Sequence, residues 1–378
     1  MNDEGYVEPV FGTLDSLLSD SEYEDVKVEP FDSPDEPELT DSIREEIENP
    51  DIFQETLDQI ESVDEYSWSR GSMGLDYGVE WMNDAFRGLN PGLHLFGGAA
   101  NVGKSSILMQ LKWNIVHANQ YQTEDHPRIP YCIYFSLDDT ANDLLPRIIA
   151  LDQKITINQA SFPKALKEPS IIERREKGIQ ALKDNVKYFT MKDSNEGVTI
   201  EYIYETTKRY VETLEASFPD TYQVVVFIDN FHDVQVADDR FFEDNARYDH
   251  VADRLTGVAN EFNVPILCSS EFRKINVHKR PQIDDIKSTG KIAYEAKTVM
   301  LLYNEYGTKD ESADIYWEMA DASNPEIIRK MPIVEFNVAK NKMGQYKGVQ
   351  FMEFIPEMAH MSEVPKEDRD YYMQKLRG

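Results

Sequence analysis

The chain has 378 residues, 41% of them hydrophobic, which is enough for one large core plus an appendage. No apolar run approaches the roughly 20 residues of a membrane span and no signal peptide is evident, so neither a membrane partner nor export is expected. Net charge is −31, and the two cysteines, Cys132 and Cys268, lie in apolar strand-like runs; a disulfide framework or zinc site is not supported, and a reducing, cytoplasmic location is the default.

The acidity is uneven. Residues 1–70 hold 23 Asp and Glu against 3 Lys and Arg, a net of −20, which leaves −11 for the other 308 residues. A nucleic-acid site elsewhere in the chain is therefore not excluded. Residues 1–38 read as a disordered acidic tail, with Pro9, Pro30, Pro34 and Pro37 and no sustained period. Leu14, Leu17 and Leu18 form a small apolar knot in it, either a docking motif or part of a solvated tail. Residues 39–67 read as a short helical linker. Thr40, Asp41 or Ser42 can cap a helix carrying Ile43 and Ile47, and after Asn49-Pro50 a second helix puts Phe53, Leu57 and Ile60 on one face.

The globular part is expected over residues 68–356, with 357–378 as a C-terminal tail. Leu93 to Phe96 reads as a buried strand, and Ser106 to His117 as a helix. Between them, Gly98-Ala99-Ala100-Asn101-Val102-Gly103-Lys104-Ser105 spells G-x-x-x-x-G-K-S, the P-loop. Glycines let backbone N–H groups curl around phosphate oxygens, and the helix N-terminus adds partial positive charge. Lys104 can reach the β- and γ-phosphates and the Ser105 hydroxyl can ligate Mg²⁺, so this stretch reads as a nucleoside triphosphate site.

Further strands are expected at 131–137, 186–191, 222–228, 264–269, 298–303, 333–338 and 349–354. Helices are expected from Asp138-Asp139 through Ala150, over roughly 164–184, over 200–215 and over 248–262. Strands and helices alternate first, then strands run together. That order predicts an α/β fold whose mostly parallel central sheet carries an antiparallel C-terminal extension.

Two acids stand at strand ends, where open α/β sheets place their ligands. Asp229 closes the apolar run Tyr222 to Ile228, the Walker B pattern, and would hold Mg²⁺; a capping Asp on a core strand is the plainer alternative. Asp138 could deprotonate an attacking water or serve as a helix N-cap, and spacing leaves the two readings even.

Several segments, in order, resemble the ATPase domain of DnaB-type replicative helicases, a branch of the RecA-like P-loop fold. They are Phe135 to Ala141 with Arg147 to Ala150, Ile228 to Phe231, Asn263 to Ile266 with Ser270 to Lys274, Ser288 to Gly290, and Val338 to Gly344. The resemblance implies ATP and Mg²⁺ as ligands, with Ser106 and Arg147 beside the P-loop residues. It matches Asp138 to the catalytic acid, Asp229 to the Mg²⁺ aspartate and Glu271 to a glutamine that senses the γ-phosphate. Lys340 and Lys342 match a basic pair that reaches the neighbouring subunit's nucleotide, the second normally arginine. Three departures stand out: Asp138 is shorter than the usual Glu, Glu271 is charged where an amide is expected, and Lys342 lacks a planar fork. Slow or altered hydrolysis is one consequence.

The resemblance also implies a homo-oligomer, a hexameric ring translocating on single-stranded DNA in a phage-infected or bacterial cytoplasm. The family's helical N-terminal domain is missing from it, and a helix near residues 51–63 would stand in for the linker that closes the ring. Residues 273–297 carry net +4, and Arg273, Lys274, Lys279, Arg280, Lys287 and Lys291 are the expected phosphate contacts. The acidic tail would compete with DNA for them or dock a primase, loader or single-strand-binding protein. A recombinase-like filament ATPase and a non-motor ATPase switch or loader are the alternative functions.

Overall fold

The computed structural model describes residues 74–120, 128–162, 168–193, 197–238, 243–274, 276, 278–287, 290–321, 324 and 326–377. The acidic tail, its leucine knot and the linker of residues 39–67 lie outside the described residues.

The strands are β1 (Gly92–Gly98), β2 (Ile129–Ser136), β3 (Phe189–Lys192), β4 (Tyr222–Asp229), β5 (Pro265–Glu271), β6 (Thr298–Asn304), β7 (Tyr316–Ala320), β8 (Ile328–Asn341), β9 (Gly348–Ile355) and β10 (His360–Glu363). The helices are α1 (Glu80–Phe86), α2 (Lys104–Ala118), α3 (Ala141–Gln153), α4 (Ile157–Ser161), α5 (Pro169–Asn185), α6 (Ile200–Ser217), α7 (Asp244–Glu261), α8 (Lys291–Glu295), α9 (Tyr306–Lys309) and α10 (Lys366–Arg377). One sheet runs β10-β9-β8-β6-β1-β5-β4-β2-β3, and β7 pairs with β8 beside that path. From β3 to β6 every pairing is parallel. β8, β9, β10 and β7 join antiparallel, as the order of elements predicts.

The central strands are apolar throughout because both faces are covered. On β4, Val224, Val226 and Ile228 face one layer, with α7 residues such as Val251 and Leu255. Val225 and Phe227 face the other, with α2 residues Ile107, Leu108 and Leu111. No helix among the described residues is long and apolar enough to cross a membrane.

Some boundaries differ from the sequence reading. Val186–Tyr188 forms a 3₁₀ turn and β3 starts only at Phe189, since β2 offers four partners, Cys132 to Phe135. The helix expected from Asp138 begins at Ala141, because Thr140 is its N-cap and forms a capping box with Asp143. Residues counted with the C-terminal tail form β10 and α10, and Tyr372 packs its ring 5.5 Å from Phe351.

Lys112 is the odd member of the core. It is fully buried on α2, its Nζ has no hydrogen-bond partner among the described residues, and it lies 3.5 Å from the Phe189 ring centroid. Burial lowers its pKa from 10.5 to about 7, with Cys132 pulling weakly the other way. The unfolded chain therefore holds this proton more tightly, and the penalty is full below pH 7 and fades as pH rises to 10.5. Lys112→Met should stabilise the protein by about 1–4 kcal/mol at neutral pH. In urea titrations that gain should shrink steadily between pH 7 and pH 10.5; a gain independent of pH would mean that the amine is not what costs stability.

Candidate nucleotide site

The site is assembled at the carboxyl ends of four parallel strands. β1 ends at Gly98, the chain turns through Asn101 at φ 61° and Gly103 at φ 106°, and α2 begins at Lys104. The tightness of the loop explains its glycines: a Cβ on Gly98 would lie 2.6 Å from Val102 Cγ1. Lys104 folds back over the loop, and its Nζ donates to the carbonyls of Gly98 at 3.0 Å and Ala99 at 2.8 Å.

Strand register supplies the acids. Gly98 pairs with Glu271, and Ser136 pairs with Asp229. Asp229 is buried, and its two carboxylate oxygens accept the hydroxyls of Tyr134, at 3.1 Å, and Ser269. Asp138 is exposed just past the end of β2, and since Thr140 caps α3, the capping reading of Asp138 falls away. Desolvation raises the Asp138 pKa, followed by Asp233, Asp229, Asp139 and Glu271. Burial lowers the Lys104 pKa while Glu271, Asp229 and Asp138 oppose it. One ammonium thus sits among several carboxylates, and the charge of Glu271 is directed toward it.

A cleft of about 1180 Å³ opens over the loop. The P-loop residues Asn101, Gly103, Lys104 and Ser105, with Ser106 and Arg147, line one wall; Arg147 is held by Asp139 at 2.9 Å. The other wall was not legible in the sequence: Tyr306 on α9, Ile328 to Pro332 on β8, and Phe354 and Pro356.

Lys340 and Lys342 stand elsewhere. Lys340 pairs with Val299, three residues short of Leu302, the partner of Gly98. That places the pair roughly 10 Å or more back along the sheet, at the opposite end of the parallel strands. Lys340 donates to the carbonyls of Ala293, at 2.8 Å, and Tyr294. Among the described residues, neither lysine lines the cleft of its own P-loop.

The basic segment is closed at its neck. Phe272 bridges to Ile286, Arg273 N–H donates to Asp285 O at 2.9 Å, and Lys287 N–H to Glu271 O at 2.9 Å. Arg273 lies 3.8 Å from Asp285, while Lys274 and Lys279 are exposed; Lys279 also flanks Ala99 to Val102 on the outer side of the P-loop. Two expected phosphate contacts have other engagements. Arg280 makes a two-pronged pair with buried Glu335, at 2.7 and 2.8 Å, and Lys291 pairs with Asp253 at 2.5 Å.

A family model described as the DnaB-like helicase C-terminal domain matches residues 74–363. The chain belongs to that family. The replicative DNA helicase DnaB of Rickettsia typhi is 23% identical over 304 residues, 76% of this chain and 56% of that protein. The probable replicative DNA helicase of Trieres chinensis is 23% identical over 320 residues, covering 82% and 62%. The chain thus spans little more than half the length of the first of these relatives. Among solved structures, an isolated ATPase domain matches with a TM-score of 0.65 at 17% identity, over 84% of this chain and 99% of that one. A DnaB-like replicative helicase described with its interactions with primase matches at 0.64 and 17%, over 84% and 67%. The fold is RecA-like.

His232 escaped the sequence reading. Its buried ring accepts the Glu271 N–H at Nδ1, 3.2 Å away, so Nε2 carries the proton and donates to the Lys287 carbonyl. Burial lowers its pKa to about 4, which keeps this neutral form. The imidazole therefore pins the end of β5 to the neck of the basic segment. In His232→Ala, hydrogen exchange at the Glu271 and Lys287 amides should quicken by about tenfold or more, one hydrogen bond being worth ~1 kcal/mol and its desolvated partner more. Amides inside β5 should hold their rates; unchanged exchange at Glu271 would mean the ring is only filler.

Proposed function

We propose that this chain is an ATP-hydrolysing motor that assembles head to tail into a hexameric ring, translocates on single-stranded DNA, and so works as a replicative helicase. The observation that carries the reading is the two-ended sheet: Lys104 and the acids at one end, Lys340 and Lys342 at the other, roughly 10 Å or more back along the strands. In this reading the site's missing cations, on the far side of the same subunit, come from the next copy, and a repeated heterologous contact of this kind gives a ring where its rotation closes and a filament where it does not. The family and the names of the relatives support the same activity.

In this reading the loop amides and Lys104 bind the phosphates, and Arg147 borders them in the cleft. Asp138 orients the attacking water and accepts its proton, helped by the carboxylates that raise its proton affinity. The donor set fits Mg²⁺: Ser105 and Asp229 offer hard oxygens, and the surplus of carboxylates around Lys104 favours a further cation beside a polyanionic nucleotide. Ser105 and Asp229 would hold that ion, which when bound neutralises charge on the phosphate oxygens. Arg273, Lys274, Lys279 and Lys287 are the residues offered to DNA phosphates, whereas Arg280 fastens the segment to β8. Primase, loader and single-strand-binding partners, through the acidic tail, belong to the same proposal.

Glu271 favours a second reading. A carboxylate directed at Lys104 opposes an incoming γ-phosphate, which suits a switch that holds ATP and hydrolyses it slowly. Steady-state turnover with and without single-stranded DNA separates motor from switch, and electron micrographs separate rings from recombinase-like filaments.

Lys104→Ala should abolish hydrolysis and weaken nucleotide binding, while Asp138→Asn should bind ATP normally and lose about 10²–10⁴-fold in kcat. Nucleotide titrations and turnover measured together check both; normal turnover in Asp138→Asn would remove its role as base.

Mixing tests the shared site. Lys342→Ala and Asp138→Asn subunits are each expected to be strongly impaired but measurable alone, while mixed rings contain some interfaces with both intact halves. Part of the ATPase activity should return on mixing, and none returning in well-assembled mixed rings would argue that each site is complete within one subunit.

A further inference from the structure

Tyr294 is an aromatic side chain 76% exposed, on the short helix α8. The ring does not stand alone. The ammonium of Lys340 lies 5.5 Å from its centroid and that of Lys342 lies 5.8 Å away. Both distances are within cation–π range.

The two lysines are held differently. Lys340 is tied down, since its Nζ donates to the carbonyls of Ala293 and Tyr294. The Lys342 side chain is exposed and its amine neighbours that of Lys340, while its backbone N–H donates to Lys297 O at 2.8 Å. The turn beyond is set by Asn341, whose side chain accepts from Met343 N–H at 2.9 Å and Gly344 N–H at 3.1 Å and donates to Ala85 O at 2.9 Å. A lysine on a fixed backbone still has a freely rotating stem, and it lacks the planar fork that pre-orients arginine. The neighbouring amines also repel it; burial lowers the pKa of both Lys297 and Lys340, and the charge of Lys342 adds to it.

We infer that Tyr294 is a positioning residue: anchored through Lys340, its ring holds the Lys342 ammonium aimed outward at the polyphosphate of a neighbouring copy. The inference rests on the shared site proposed above. It divides the pair by role, with Lys340 as the brace and Lys342 as the group that touches phosphate. The aromatic face supplies an orientation that lysine does not have by itself.

The test uses full-length assembled protein with ATP, reading kcat and KM for Tyr294→Leu, Tyr294→Phe, Lys342→Ala and the Tyr294→Leu/Lys342→Ala double variant. Assembly is checked by light scattering. Leucine keeps bulk and loses the π face, so kcat should fall about three- to tenfold with KM for ATP nearly unchanged. Phenylalanine keeps the face and should retain wild-type kcat. The double variant should be no slower than Lys342→Ala. Wild-type kcat in Tyr294→Leu, equal losses in Leu and Phe, or a further loss in the double variant would each overturn the positioning role. Wild-type kcat in Lys342→Ala would overturn the shared-site reading itself, and the inference with it.

Discussion

A single parallel register holds the nucleotide site together. Gly98 lies beside Glu271 because β1 and β5 pair in step, and Ser136 lies beside Asp229 because β2 and β4 do. Apart from Arg147 on α3, the groups proposed to touch the phosphates in this subunit hang from those strand ends or from the loop after β1 and the start of α2. A slip of one residue in either pairing would turn whole strands over, moving core side chains from one face of the sheet to the other. Burial on both faces is what forbids the slip, since Leu93 and Leu95 must meet one helical layer and Phe96 the other. The chemistry of the site is therefore secured by apolar packing several residues away from it.

That same register concentrates charge. Asp138, Asp229 and Glu271 come together around Lys104, with Asp233 beside Asp138, and Asp229 is held by the hydroxyls of Tyr134 and Ser269. Asp233 is held as well, by the Asn230 side-chain amide at 2.5 Å. Nearby, neutral His232 passes the position of Glu271 on to Lys287 through backbone groups alone, so that link carries no charge of its own.

Local signals were legible in the sequence and distant ones were not. The P-loop and the strand ending in Asp229 could be read because their pattern lies in a strand, a turn and a helix that are contiguous in the chain, whereas spacing left Asp138 even between base and cap. Ser269, Tyr134 and the Ile328 to Pro332 wall gain theirs from pairing partners and packing many residues away, which no periodicity carries. Arg280 shows the limit of charge counting. It stood among seven cations in one segment, yet its partner Glu335 is 55 residues downstream on β8. His232 gave only a faint signal, a lone histidine three residues after a strand-end Asp, and such histidines are more often core than site.

β8 ties these separate places into one mechanical element. Its first residues, Ile328 to Pro332, wall the subunit's own cleft; Glu335 receives Arg280 from the basic segment; Lys340 stands near its far end beside Lys342. The twelve residue-to-residue steps of strand from Ile328 to Lys340 cover about 40 Å. From Val334 to Val338 β8 is bonded on both sides, to β6 and to β9, so there it moves with the sheet or not at all, while Ile328 to Pro332 pair with β7. A nucleotide pressing on one end, a polyanion pulling the basic segment and a neighbour's phosphates engaging Lys342 would all act on this one strand. The antiparallel extension is thus more than a cover for the parallel sheet: it is a direct covalent path between the cleft wall at Ile328 to Pro332 and the lysine pair Lys340 and Lys342.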